Sequence, residues 1–282
     1  MTAQDLILEI KNIPIKPAVT ADAPIGVFDS GVGGISVLQH IHALLPQEEL
    51  LYVADSQYAP YGNKTPEEIQ SRCIEITDFL ITKGVKAIVV ACNTATAAAI
   101  DLMRVRYALP IIGMEPAVKP AAEASRNGVI GVLATVGTLK SAQFAGLLES
   151  YGRNVKVVTQ GCIGLVECIE RGDLNGADTK ALIKRYVQPL LEAHADTIVL
   201  GCTHYPFVRH LIEDVVGKQV VLVDTGHAVA RHLKHRLEDG HLLNQSPTHA
   251  EIKFWTNSLA QDAEKVMTGL WGNSVTVERF DK

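Results

Sequence analysis

The sequence predicts an α/β protein of two similar lobes, each built on a mostly parallel sheet, with a functional cleft between them. Three observations predict it. Short Val/Ile/Leu runs alternate with helical patterns over most of the 282 residues, and regular β–α alternation gives parallel sheets with helices on both faces. The pattern restarts near Val129. Two segments of the first half also return in the second. Ile25-Gly26-Val27-Phe28 resembles Ile130-Gly131-Val132-Leu133, an offset of 105 positions (25 to 130), and Ala87 to Thr94 resembles Thr197 to His204, an offset of 110 (87 to 197). A near-constant offset over two independent segments points to two lobes of similar build.

The elements follow in order. Ile25 to Phe28 is the first expected strand, leading through a glycine-rich turn into a helix over about Ile35 to Leu45. Leu50 to Ala54 is the next apolar run. Pro66 to Lys83 reads as a helix because Thr65 suits its N-cap, Pro66 its first turn and Gly84 its end. Ala87 to Ala91 is continuously apolar, as expected for a strand covered on both faces. Thr94 to Tyr107 is alanine-rich and helical until Leu109-Pro110 stops it, and Ile111-Ile112 begins another strand. After the restart come a strand at Val129 to Leu133, a helix at Ser141 to Ser150 and a strand at Val155 to Thr159. A helix at Thr179 to Ala195 and a strand at Thr197 to Leu200 follow. The C-terminal part adds Val220 to Val223, a helix over about Ala228 to Leu237, Ile252 to Phe254, a helix to about Leu270, and Val275 to Glu278. The polar stretch His241 to His249 is expected to be a surface loop.

Composition narrows the function classes. At about 150 residues per domain the length suits two domains. Hydrophobic residues are 47% and charged residues 20%, an ordinary globular balance. Lys plus Arg is 26 against 31 for Asp plus Glu, a net charge of −5, which argues against a nucleic-acid partner. No apolar stretch approaches the ~20 residues that span a bilayer, so no membrane role is expected. Residues 1–23 carry Asp5, Glu9 and Asp22 and lack the apolar core of a signal peptide, so a cytoplasmic location is expected. Five cysteines, none spaced CxxC, read as free thiols. Cys73, Cys162 and Cys168 are taken as core residues.

Cys92 and Cys202 stand apart. Each directly follows an apolar strand and precedes small polar residues, and in parallel α/β sheets ligands sit at the carboxyl ends of strands. If the lobes face each other, the two thiols flank one cleft. A disulfide is disfavoured in a reducing compartment, and zinc would need four close ligands where each loop offers one Cys and at most one His, so no metal is expected. The remaining possibility is a pair of proton-transfer groups on opposite sides of a carbon, inverting its configuration. Neighbours and helix N-termini can shift a thiol toward neutrality. Asp29-Ser30-Gly31-Val32-Gly33-Gly34 lacks both the P-loop ending and the dinucleotide order, but its hydroxyl and amides suit a carboxylate. Asp29 is either a loop aspartate or a charge partner for a substrate ammonium and for Cys92. Tyr61 is either packed or a donor to a carboxylate. His204 suits a general acid/base or a tuner of Cys202, with Glu167 as a group that could orient it.

Together these residues resemble the bacterial glutamate racemases of the aspartate/glutamate racemase superfamily. The resemblance rests on Val27 to Gly34, Ala59-Pro60-Tyr61-Gly62, Val89 to Ala95 and Leu200 to Pro206, and more loosely on Leu133 to Thr138 and Leu165-Val166-Glu167. It implies cofactor-independent interconversion of L- and D-glutamate, feeding peptidoglycan synthesis. Cys92 and Cys202 would be the acid/base pair, with Asp29 assisting Cys92, and His204, supported by Glu167, assisting Cys202. Asp29, Ser30, Tyr61, Gly62, Asn93, Thr94, Thr203 and His204 would bind glutamate. It further implies one lobe of residues 24–113 plus 225–282 and a second of residues 114–224. The extension at residues 1–23 resembles that of members activated by UDP-N-acetylmuramoyl-L-alanine, and the family forms homodimers. Three rival readings stay open: a racemase of another acid such as aspartate, a cysteine hydrolase or amidotransferase using Cys202 and His204, and a non-catalytic amino-acid binding module.

Overall fold

A computed structural model describes residues 20–246 and 250–280 of the chain. Most of the expected extension, and residues 247–249 of the expected loop, lie outside them. The chain begins with β1 (Ile25–Asp29), α1 (Ile35–Leu44), β2 (Leu50–Ala54), α2 (Pro66–Thr82), β3 (Ala87–Val90), α3 (Asn93–Arg106) and β4 (Ile111–Ile112). It continues with α4 (Val118–Ala124), β5 (Val129–Ala134), α5 (Val136–Lys140), α6 (Ala142–Tyr151), β6 (Lys156–Gly161), α7 (Leu165–Glu170), α8 (Ala177–Glu192), β7 (Thr197–Gly201), α9 (Arg209–Val216) and β8 (Val221–Val223). It ends with α10 (Gly226–Asp239), β9 (Ile252–Thr256), α11 (Ala260–Trp271) and β10 (Val277–Arg279). Every expected strand and helix is present within a few residues. Four short helices, α4, α5, α7 and α9, lie where none was expected.

The strands form two sheets, ordered β10-β9-β2-β1-β3-β4 and β6-β5-β7-β8, and every pairing is parallel. The chain passes to the second sheet after β4 and returns after β8. Both sheets share one winding: the first strand lies between the second and third, and the fourth beside the third. The sequence echo follows from this. Ile25 pairs with Ala87 and Ile130 with Thr197, so the two offsets describe one register repeated. Cys92 and Cys202 therefore occupy matching places beyond matching strands.

Alternation along each strand explains the unbroken apolar runs. In the first sheet, Ile25, Val27, Leu50, Tyr52, Ala87 and Val89 pack with α1, α10 and α11, while Phe28, Leu51, Val53, Ile88 and Val90 pack with α2 and α3. A strand with helices on both faces needs apolar residues at both parities. In the second sheet, Leu133, Ile198 and Leu200 pack with α7, α8 and α9, and Ile130, Val132 and Val199 with α4 and α6. α2 starts as its sequence requires, with Thr65 Oγ1 accepting from the Glu68 N–H at 3.3 Å and Glu68 Oε2 accepting from the Thr65 N–H at 2.8 Å. Lys86, at the foot of β3, is fully buried and paired with Glu48 at 2.5 Å. Among the described residues, no helix is long and apolar enough to cross a membrane.

Candidate active site

The two matching strand ends face one narrow cavity of about 10 Å³, walled by Cys92, Asn93 and Thr94 after β3 and by Cys202, Thr203 and His204 after β7. Ser30, Tyr61, Gly62, Thr135 and Thr138 complete much of its wall. The cysteine Cys92 caps α3, its Sγ accepting from the Ala95 N–H at 3.4 Å. Its own S–H points at Ser30 Oγ, 3.7 Å away. The expected lowering of this thiol's pKa does not occur. Burial pushes it well above its ordinary value, the Asp29 carboxylate pushes the same way, and the Ala95 N–H only partly offsets them.

Asp29, at the end of β1, is fully buried. Its Oδ1 accepts from the Ser30 N–H at 2.7 Å, and its Oδ2 from the Gly34 N–H at 2.6 Å and the Thr203 hydroxyl at 3.3 Å. Burial raises its pKa against the pull of His204, and Glu170 adds to the rise. The glycine-rich loop is thus occupied with the protein's own acids. Ser30 and Gly34 donate to Asp29, and the Val32 N–H donates to Glu170 Oε1 at 2.8 Å. Of the loop amides expected to face a substrate carboxylate, those of Ser30, Val32 and Gly34 are thus bonded to the protein's own carboxylates. The glycines permit close packing instead: a Cβ on Gly33 would lie 2.3 Å from His204 Nδ1, and one on Gly31 1.9 Å from Glu170 Oε1.

On the opposite wall, His204 Nδ1 lies 3.6 Å from Cys202 Sγ, and its Nε2 lies 2.5 Å from Glu170 Oε1. Burial alone would pull this imidazole down. Its hydrogen bonds to Cys202 and Glu170 outweigh burial and hold it well above its ordinary value, so it stays protonated. The carboxylate that orients His204 is therefore Glu170, where Glu167 was expected. Both acids sit on α7, one turn apart. Glu167 is half-buried and lies near Tyr205 and Tyr186.

Tyr61 also departs from expectation. Its ring lines the cavity, but its hydroxyl donates to Asp55 Oδ2. Asp55 is fully buried and also accepts two hydrogen bonds from Arg72, at 2.7 and 3.0 Å, and one from Asn257 at 2.5 Å. Tyr61 is an anchor for the loop that brings Gly62 to the cavity. Gly62 packs against Thr135, to which an added Cβ would approach within 3.0 Å.

Thr94 Oγ1 bonds Thr135 Oγ1 at 2.9 Å and Thr138 Oγ1 at 3.1 Å, joining the two walls. Sequence reasoning did not name Thr135 or Thr138 as site residues. The echo held a signal, because the 105-position offset carries Ser30 onto Thr135. Asn93 is 4% exposed, and neither its Nδ2 nor its Oδ1 has a hydrogen-bond partner. A donor and an acceptor left open side by side in a buried cavity suit a polar ligand. Cys73, Cys162 and Cys168 are buried as expected, with burial pushing the Cys162 thiol up to about 12. Among the described residues, no cluster of three or more His, Cys, Asp or Glu side chains is placed to hold a metal ion.

Known proteins resemble this chain over most of its length. A family model described as Asp/Glu/Hydantoin racemase matches residues 25–233. The glutamate racemase of Pseudomonas paraeruginosa is 54% identical over 260 residues, covering 92% of this chain and 98% of that protein. The crystal structure of glutamate racemase isoform RacE1 from Bacillus anthracis superposes with a TM-score of 0.84 at 32% identity, over 92% of this chain and 97% of that one. The Escherichia coli glutamate racemase, solved in complex with L-glutamate and the activator UDP-MurNAc-ala, gives a TM-score of 0.82 at 30% identity, over 92% and 98%.

Proposed function

The chain belongs to the Asp/Glu/hydantoin racemase family, and on that premise we propose that it interconverts L- and D-glutamate, using Cys92 and Cys202 as opposed acid and base. The observation that carries the reading is the repeated register. It sets one thiol at the end of each sheet and turns both toward a single cavity. One sulfur removes the Cα proton and the other delivers a proton to the opposite face, so configuration inverts. Cys92, held protonated by burial and Asp29, is the donor in the state seen here. Cys202, facing the protonated His204, is the acceptor. The reverse direction exchanges these roles.

Asn93, Thr94, Thr203 and Ser30 hold the substrate's carboxylate and ammonium, and Asp29 offsets the ammonium charge. No cofactor takes part: the developing negative charge is met by hydrogen bonds in a site closed to water. A cavity of about 10 Å³ holds little more than one water molecule, so the walls must part to admit glutamate. We take the moving bodies to be residues 24–113 plus 225–282 and residues 114–224. The reaction supplies D-glutamate for peptidoglycan in the cytoplasm. Similarity to the activator-bound E. coli enzyme supports activation by UDP-N-acetylmuramoyl-L-alanine, and a homodimer is part of the same reading.

The test is deuterium uptake at Cα when either glutamate enantiomer is incubated with the protein in heavy water without pyridoxal phosphate. Cys92→Ser and Cys202→Ser should each lower kcat about 10²–10⁴-fold. Full activity of either variant sinks the two-thiol assignment, and a preference for aspartate sinks the glutamate assignment.

A further inference from the structure

The two lobes meet along two sides of the reacting cavity, and the sides are held differently. On the side of α1 and α11, Leu174 and Phe207 of the second lobe pack against the apolar cores of both lobes. There the Val32 N–H donates to the Glu170 carboxylate at 2.8 Å, and the Thr203 hydroxyl to that of Asp29 at 3.3 Å. Ser36 Oγ donates to the Thr203 carbonyl at 2.7 Å. On the side of α2 and α3, among the described residues, no apolar side chain packs against the cores of both lobes. Gly62 lies against Thr135 and Gly137, and three hydroxyls close the rest. Thr135 Oγ1 donates to Thr138 Oγ1 at 3.0 Å. The Thr138 hydroxyl is then left to donate to Thr94 at 3.1 Å, and that of Thr94 to donate to Thr135 at 2.9 Å. This ring uses all three hydroxyl hydrogens, so Thr94 has none for a ligand until the ring opens. Its two bonds that cross between the lobes join neutral groups, and neutral hydrogen bonds are roughly half as strong as those to carboxylates.

We propose that this hydroxyl ring is the latch of the cavity: the lobes part where Thr94 separates from Thr135 and Thr138, and the packed side with Leu174 and Phe207 serves as the hinge. The inference rests on the racemase reading above only in taking this cavity as the place where substrate reacts. Parting the ring frees the Thr94 hydroxyl as substrate enters. On closure Thr94 donates to the substrate carboxylate in place of Thr135, while Thr138 still donates to Thr94. One bond of the ring is exchanged for one to the ligand, so the occupied cavity closes without losing a hydrogen bond. Thr135 and Thr138 act through Thr94.

The experiment is alkylation of the substrate-free protein by iodoacetamide, followed cysteine by cysteine with peptide mass spectrometry. Cys92 and Cys202 are 5% and 7% exposed, so their modification waits on opening. Thr138→Val is close in size and removes one bond across the seam. It should speed modification of both thiols together by about 2–12-fold, and Thr138→Ser should restore the slow rate. Cys73, fully buried in α2, should not change, which separates parting of the lobes from unfolding. Leu174→Ala loosens the opposite side and should leave both rates as they are. Gly137→Ala keeps every hydroxyl but sets a Cβ 3.0 Å from the Gly62 carbonyl oxygen and 3.3 Å from Thr94 Cγ2, a wedge in the same seam. It should speed both thiols as well, and it decides the matter if Thr138→Val fails to fold. Unchanged rates in a folded Thr138→Val or in Gly137→Ala, or an equal rise in Leu174→Ala, overturn the latch. L- and D-glutamate should each slow the alkylation. Rates that follow the latch variants but respond to neither enantiomer overturn the glutamate reading and leave the latch.

Discussion

Replacing Asn93 with Leu should make the protein more stable and less active. Asn93 opens α3 with both side-chain polar atoms buried and unpartnered. The cavity beside it, about 10 Å³, has space for roughly one water, which can serve one of those atoms. One orphan remains, and a buried unsatisfied polar atom costs about 1–3 kcal/mol. Leucine is similar in size and removes both atoms. The gain is therefore about 1–3 kcal/mol, or roughly 2–10 °C in Tm for a chain of this length. The functional loss runs the other way. Two hydrogen bonds to charged substrate groups, at about 1.5–3 kcal/mol each, correspond to a fall in kcat/KM of about 10²–10⁴-fold. Urea and thermal unfolding without glutamate, alongside racemisation kinetics, read both effects. Added glutamate should raise the Tm of the wild type and leave that of the variant unmoved. A variant less stable than wild type, or one whose kcat/KM stays within about threefold, would show that Asn93 is not held open for substrate.

Two further outcomes are expected. Tyr61→Phe should keep KM for glutamate within about threefold while losing about 1–3 kcal/mol of stability, because the hydroxyl serves Asp55 and not the ligand; a large KM rise with unchanged stability would reverse that assignment. Asp29 and His204 both have pKa values raised by folding, so folding takes up protons at each. Their contribution is complete below the unfolded values, about 3.9 for Asp and 6.5 for His, and is lost as pH rises through the folded ones. Urea midpoints should therefore fall as pH rises above about 6.5, and His204→Gln should flatten that slope; equal slopes in the two proteins would count against a protonated His204.

The positions of both cysteines were legible because a strand with helices on both faces announces itself as an unbroken apolar run, and the first polar residues after it mark the end where ligands bind. The repeated register was legible too, as two nearly equal offsets. The short helices were not. α4, α5, α7 and α9 span only five to eight residues, too few for a 3.6-residue period to show. That gap hid the carboxylate that meets His204.

Glu167 and Glu170 are alike in type and stand three positions apart on one helix, so local sequence treats them as near equals. They differ by about 4.5 Å along the helix axis, and that displacement relative to β1 and β7 selects Glu170. The same division holds for the glycine-rich loop and for Tyr61. Sequence named the polar groups, while only the packed chain fixed which of them spend their hydrogen bonds on one another. Local order along the chain is written in short-range pattern. The pairing of donors with acceptors depends on distances that packing sets, whether between near segments such as those of Tyr61 and Asp55 or far ones such as those of Val32 and Glu170, and those distances exist only once the chain has folded.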